Sequence, residues 1–283
     1  MDLGKVRRYS EERFEEIRRH YAVASQTFDP EAIHQMRVEV KRLKALFQLL
    51  EGLCADFRAK KNLKPVRPIF KSAGRLRDLQ LQIGLARQWM DASGRGLNAF
   101  CLHLAEREQQ ARLGFRKKCG LFDAAALDAK EGWVNQVLGS LTARQSRLRA
   151  LEMLEGLQSE LLAHGQASKA EDDLHPLRIL SKRARHTAEL LQMCLRTSPP
   201  PNQVLEALRA AEQTLGQWHD QEVGLGFVEA FRQESETSSA CQDYKEALST
   251  KKRELHQAFF QLLPGLKSAL AGSAPGRVRE LEK

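Results

Sequence analysis

HQMRVEVKRLKALFQLL, residues 34–50, sets basic side chains beside a run of aliphatic ones. At about 100° per residue, His34, Arg37, Lys41 and Lys44 fall within roughly 80° of one another on a helix. Met36, Val40, Leu43, Phe47 and Leu50 hold the opposite side. One face is built to pack; the other meets water or something negative.

The same pattern returns later in the chain. HPLRILSKRARHTAELL, residues 175–191, overlays the first stretch without a gap: His175 on His34, Arg178 on Arg37, Lys182 on Lys41, Arg183 on Arg42, Arg185 on Lys44. The offset is 141. Further on, GRLRDLQLQI, residues 74–83, overlays GQWHDQEVGL, residues 216–225, at an offset of 142, pairing Asp78 with Asp220. Two matches at nearly one offset, about half the chain, predict a duplicated unit of about four helices. Leu177, Ala184, Ala188 and Leu191 lie opposite the second basic row, so core pattern and charge row repeat together.

A solvated face tolerates either sign of charge, and like charges at i,i+4 oppose the helix. If such rows line a cleft with an effective dielectric near 20, two charges about 5.5 Å apart repel by roughly 3 kcal/mol before screening. That arrangement calls for an anion.

The remaining sequence agrees with a helical, basic protein. Leucine occurs 42 times in 283 residues, whereas Val, Ile and Thr together occur 23 times, so β-propensity is low throughout. Helices are expected near 5–25, 31–57, 64–91, 95–118, 133–164, 174–196, 202–233 and 238–270. Asp29-Pro30 is an N-cap followed by proline in the first turn, Ser93-Gly94-Arg95-Gly96 a turn, and Pro199-Pro200-Pro201 a stop. Linkers are expected around 123–132 and 164–172, which divides the chain into halves at 1–125 and 133–275. The fold class expected is all-α, a unit of about four helices duplicated along the chain.

A net charge of +9 points to a polyanionic partner. The first residues lack the apolar core of a secretory signal, and no run reaches the eighteen apolar residues of a membrane span. A cytoplasmic protein without membrane partners is the expectation. Five scattered cysteines, Cys54, Cys101, Cys119, Cys194 and Cys241, form no C-x-x-C pair, which argues against a disulfide framework and a structural zinc. No metal and no cofactor are expected.

The densest charge is RAKKNLKPVRPIFKSAGRLR, residues 58–77, with eight basic residues and no acidic one. Lys64, Arg67, Lys71 and Arg75 fall on one helical face. Prolines 65 and 68 fit only a first turn, so a helix is expected to start near Lys64, with free N–H groups adding anion donors. The matching second-half positions are Glu206, Arg209, Gln213 and Gln217, so the potential is expected to be stronger on the N-terminal half. Asp78 and Asp220 are expected to hold basic side chains in place. His34 and His175 have an ordinary reading as near-terminal helix residues donating to a carbonyl, and an anion-binding one. Phosphate-loop, dinucleotide, nucleophile-elbow and H-E-x-x-H motifs are absent.

H-x-x-R-[VI]-x-x-K-R-x-[KR], repeated in two halves and each time followed by an aspartate segment (GRLRD, GQWHD), resembles the CHAD domain, the conserved histidine α-helical domain, over about residues 5–270. The resemblance implies an all-α fold of two pseudo-symmetric four-helix bundles about a pseudo-twofold axis, with basic residues lining a central cleft or pore. It also implies binding of inorganic polyphosphate, and association with polyphosphate granules, without catalysis. Carried over, the implied contacts are His34, Arg37, Lys41, Arg42 and Lys44, with His175, Arg178, Lys182, Arg183 and Arg185. The neighbouring row Lys64, Arg67, Lys71 and Arg75 joins them on its charge. Gln217 and His219 stand where family members often carry a basic residue. CHAD domains also occur fused to CYTH triphosphate-processing domains, whose E-x-E-x-K motif is absent here, so a hydrolase is expected to be a separate chain. The rival partner is a nucleic-acid backbone, disfavoured by the lack of Trp or Tyr platforms inside the basic rows. A third reading is an accessory subunit of a polyphosphate- or triphosphate-processing enzyme.

Overall fold

The computed structural model describes residues 1–168, 174–195, 199–234 and 238–271, and these form an all-helical fold. The helices are α1 Leu3–Thr27, α2 Pro30–Leu53, α3 Ala59–Asn62, α4 Arg67–Ser93, α5 Asn98–Cys119, α6 Ala124–Ser140, α7 Ala143–Ala167, α8 His175–Cys194, α9 Asn202–Glu234 and α10 Ser239–Ala271.

Local chemistry sets many of the boundaries. Asp2, Asp29 and Asp123 each accept a backbone N–H from three residues on, capping α1, α2 and α6. Gly94, at φ 68°, closes α4 in the left-handed conformation that glycine adopts without a Cβ clash.

Three expectations need correction. The stretch 123–132, expected as a linker, is largely the first half of α6. The single helix expected over 133–164 is broken at Leu141–Thr142, and its second part, α7, runs on to Ala167. Residues 169–172 of the second expected linker lie outside the described residues. The helix expected from Lys64 starts three residues later, after the one-turn α3 and a turn over 63–66.

Packing follows the apolar stripes. α2 turns Met36, Leu43, Leu46 and Leu50 inward, α8 contributes Leu177, Ala184 and Leu191, and α1 adds Phe14 and Ile17 to the same core. Each fully buried side chain of this size contributes roughly 1.5–3 kcal/mol. A second core joins the far ends of α4 and α5 to those of α9 and α10, with Phe100 against Phe231 at 5.5 Å and against Tyr244 at 5.9 Å. Both cores draw on residues from both halves of the chain.

α4 and α9 come close where Gln82, almost fully buried, donates through Nε2 to the Asp220 carbonyl at 2.8 Å. Gly224 makes room for that amide, since a Cβ there would press on Gln82 Oε1. With the apolar stripes of α2 and α8 committed to the core, their basic rows are left on the side flanked by α4 and α9.

Candidate functional site

Arg37 and Lys41 from α2 come together with Arg178 and Lys182 from α8. Burial pushes the Lys41 amine down to about 7, and Lys182, Arg37 and Arg178 push the same way. Burial pushes Lys182 down to about 8, followed by Arg178. Removing water and crowding cations both disfavour the ammonium form. Residues 141 apart in sequence thus form one basic cluster.

Arg37 is held in a defined pose. Its Nη1 donates to the Phe70 carbonyl at 3.1 Å and its guanidinium lies 4.9 Å from the centre of the Phe70 ring. Gly74 leaves room for this pose, because a Cβ there would push Nη1 aside. Burial lowers the Arg37 pKa, and Asp78 is the acid that opposes this.

Burial raises the pKa of Asp78 and of Asp220; Arg37 is the main opposing charge for the first, Arg178 for the second. Asp78 keeps contact with solvent at the rim. Among the described residues neither aspartate closes an ion pair, so each acts on the arginines at longer range. The Asp78 charge also raises Asp220, so the two aspartates of the repeated segment sit within electrostatic reach of each other.

The histidines border this cluster. Burial, then Arg77, lowers His34. His219 falls to about 4 through burial and then Arg178, His175 and Lys182, and its ring lies 5.6 Å from that of His175. Arg77 is absent from the site residues expected from the sequence, and His219 enters there only as a departure from the family's basic residue. The signal was present, since they occupy matching positions immediately before Asp78 and Asp220.

Arg42 and Arg183 lie one residue beyond Lys41 and Lys182, a turn of about 100° out of the row. Arg42 instead bonds Glu39 at 2.7 Å; that buried carboxylate also receives Arg13 from α1 at 2.8 Å. Arg183 has its Nε buried without a hydrogen-bond partner.

Beyond the central cluster the two rows differ. Lys44, Arg67 and Lys71 gather around a groove of about 430 Å³ between α2, α3 and α4. Lys64 is exposed in the turn before α4, and Arg75 is exposed on it. Among the described residues none of these five has an acid within ion-pair distance. On the other side Arg185 is engaged by both Glu212 and Glu189, and Arg209 by Glu189 at 3.1 Å. Burial would raise Glu189, but the nearby His186 ring and the hydrogen-bonded guanidinium groups of Arg185 and Arg209 hold it at about 2. Sequence spacing gave no warning of Glu212, which reaches Arg185 from another helix.

The start of α4 offers fewer anion donors than expected. Lys64, Arg67 and Phe70 give their N–H groups to the carbonyls of Lys61, Leu63 and Val66, and prolines 65 and 68 have none. Among the described residues no group of three or more His, Cys, Asp or Glu is placed to hold a metal, and no helix is long and apolar enough to cross a membrane. What the cluster offers is several fixed cations able to make charge-assisted hydrogen bonds to successive anionic groups.

The model of the CHAD domain family matches residues 8–229 of the chain. The crystal structure of the CHAD domain from the plant Ricinus communis superposes with a TM-score of 0.70 at 20% identity, covering 95% of this chain and 91% of that one. PptA from Streptomyces chartreusis superposes with a TM-score of 0.57 at 14% identity, covering 96% of this chain and 98% of that one. At these identities both likenesses speak to the fold. No curated protein matches the chain.

Proposed function

The chain belongs to the CHAD domain family, and from that premise we propose that it binds inorganic polyphosphate, non-catalytically, through the basic cluster of α2 and α8 and the row that continues it. The observation that carries this reading is the meeting of Arg37 and Lys41 with Arg178 and Lys182, where burial first and the neighbouring cations second depress both lysines. Cations held this close gain when a polyanion neutralises them. Charged hydrogen bonds to successive phosphates contribute roughly 1.5–3 kcal/mol each. Arginine can grip phosphate oxygens with two donors while lysine acts as a point charge. In the cell the role that follows is attachment to cytoplasmic polyphosphate granules.

The test compares binding of long-chain polyphosphate with single-stranded RNA of matched length at about 0.15 M salt, where screening acts beyond about 8 Å. Arg37, Lys41, Arg178 and Lys182 are then replaced together by alanine. The expected result is selective binding of polyphosphate that weakens by more than about a hundredfold in the variant, a change of about 2.7 kcal/mol or more. Equal binding of both polymers, or an unaffected variant, refutes it. Release of phosphate on incubation with Mg²⁺ would revive a catalytic reading.

A further inference from the structure

The groove between α2, α3 and α4 differs from its counterpart in the second half. At the duplicated offset of 142, Pro65 and Pro68 correspond to Ala207 and Ala210. The alanines let α9 run unbroken from Asn202, whereas the prolines coincide with the break between α3 and α4. The hollow beside α8 and α9 is lined by polar and charged side chains, among them Glu212 and Asp220. The groove at the break is instead walled by Val40, Leu63, Val66 and Phe70. At about 430 Å³ it lies in the size range of small-molecule sites.

Its polar groups are placed in two sets. Lys44, Lys60, Arg67 and Lys71 stand around it, while Gln48 and Glu51 line the same groove from α2. Glu51 already accepts the Ala59 N–H at 3.1 Å, which fixes α3 as one wall. An elongated polyphosphate has no use for apolar walls or for an amide. A planar, hydrogen-bonding ring carrying phosphates uses both, together with the cations.

We infer that this groove binds a nucleoside phosphate, its base against the Val40, Leu63 and Phe70 surface within reach of Gln48, and its phosphates among Lys44, Lys60, Arg67 and Lys71. The phosphate end rests on the polyphosphate reading, because it shares three of that row's cations; the base end does not. Phe70 carries Arg37 over one face of its ring, so a base meets the part of the ring that borders the groove.

The experiment is calorimetric titration of the intact chain with ATP and, separately, with tripolyphosphate, without divalent cations. ATP is expected to bind at least tenfold more tightly, and Gln48→Ala with Leu63→Ala, both at the base end, is expected to erase that preference. Long-chain polyphosphate, titrated into the same preparations, should keep its affinity within about threefold. On the unsubstituted chain an 8-azido adenine nucleotide should label the peptide spanning residues 59–71 upon irradiation. Equal affinities for ATP and tripolyphosphate, a preference that survives the double substitution, or labelling elsewhere would overturn the inference. If polyphosphate binds while ATP shows no preference, the nucleoside site alone fails; if neither binds, both readings fail.

Discussion

Lys44 and Arg185 occupy matching places one turn beyond the central cluster, and their surroundings are opposite. Lys44 stands open beside Arg67 and Lys71, whereas Arg185 is engaged by Glu212 and Glu189, and Glu189 also takes up Arg209. Counting basic residues would rate the two rows as near equals. The structure ranks them by which charges are already spent, and the first half keeps the larger share for a ligand. At Arg37, Lys41, Arg178 and Lys182 both halves contribute cations that burial depresses.

The largest effect expected to probe that comparison is of pH. Unliganded Lys41 and Lys182 sit near 7 and 8, below the ordinary lysine range, and a bound polyanion raises both. Binding therefore takes up protons above about pH 7, and affinity falls as pH rises. From pH 7 to 9 a loss of about a hundredfold is expected, at about 1.36 kcal/mol per pKa unit. Calorimetry in buffers of different ionisation enthalpy measures the uptake. With Lys41→Met, the remaining dependence should centre near pH 8, on Lys182. A response unaltered by Lys41→Met would overturn the assignment to the lysines.

Next in size is a contest between the outer rows. Replacing Lys44, Arg67 and Lys71 by glutamine should weaken polyphosphate binding by about tenfold or more, at up to about 1 kcal/mol per exposed charge. Replacing Arg185 and Arg209 should cost less than about threefold, since their charges are already answered. Binding titrations decide it, and equal losses would dissolve the distinction between the rows.

Stability gives a smaller and independent readout. Because folding depresses Lys41, the unfolded chain binds more protons between about pH 7 and the ordinary lysine range, so this residue makes the unliganded protein more stable as pH rises. Lys41→Met should therefore raise the unliganded Tm, by about 2–4 °C for each kcal/mol recovered. That gain should shrink between pH 7 and pH 10 in thermal melts, while polyphosphate affinity drops. A variant less stable than its parent at pH 7 would contradict the crowding on which the cluster rests.

The smallest change concerns Arg37. Gly74→Ala gains up to about 1 kcal/mol of helix propensity but puts a methyl where Nη1 lies. Binding should fall severalfold with Tm unchanged or higher; unaltered binding would mean the pose over Phe70 is dispensable.

Much of the helical layout was legible because its causes are local. Asp29 and Pro30 start α2 where the sequence placed it, and the stripe from Met36 to Leu50 is buried as its spacing required. The break at Leu141–Thr142 was missed because its signals, Gly139, Ser140 and Thr142, sit within an otherwise continuous helical pattern, and Thr142 caps through no side-chain bond to the backbone. The basic rows were visible from periodicity, as were the aspartates that follow them. What a single row cannot show is what stands opposite it. The pairing of Glu212 with Arg185 joins residues 27 apart on different helices, and the approach of Lys41 to Lys182 joins residues from separate halves. Such contacts arise from the packing of the helices, which no one periodicity contains.

Gln82 links α4 to α9 through the main chain at Asp220, with Gly224 opening the space for its amide. That bolt uses no charge, so neither salt nor pH loosens it, although both change the repulsion on either side. For a ligand that threads between the basic rows, α4 and α9 then act as the jaws of a fixed caliper. On the polyphosphate proposal, ionic strength would set how firmly the polymer is gripped, and the setting of the jaws which backbone width fits.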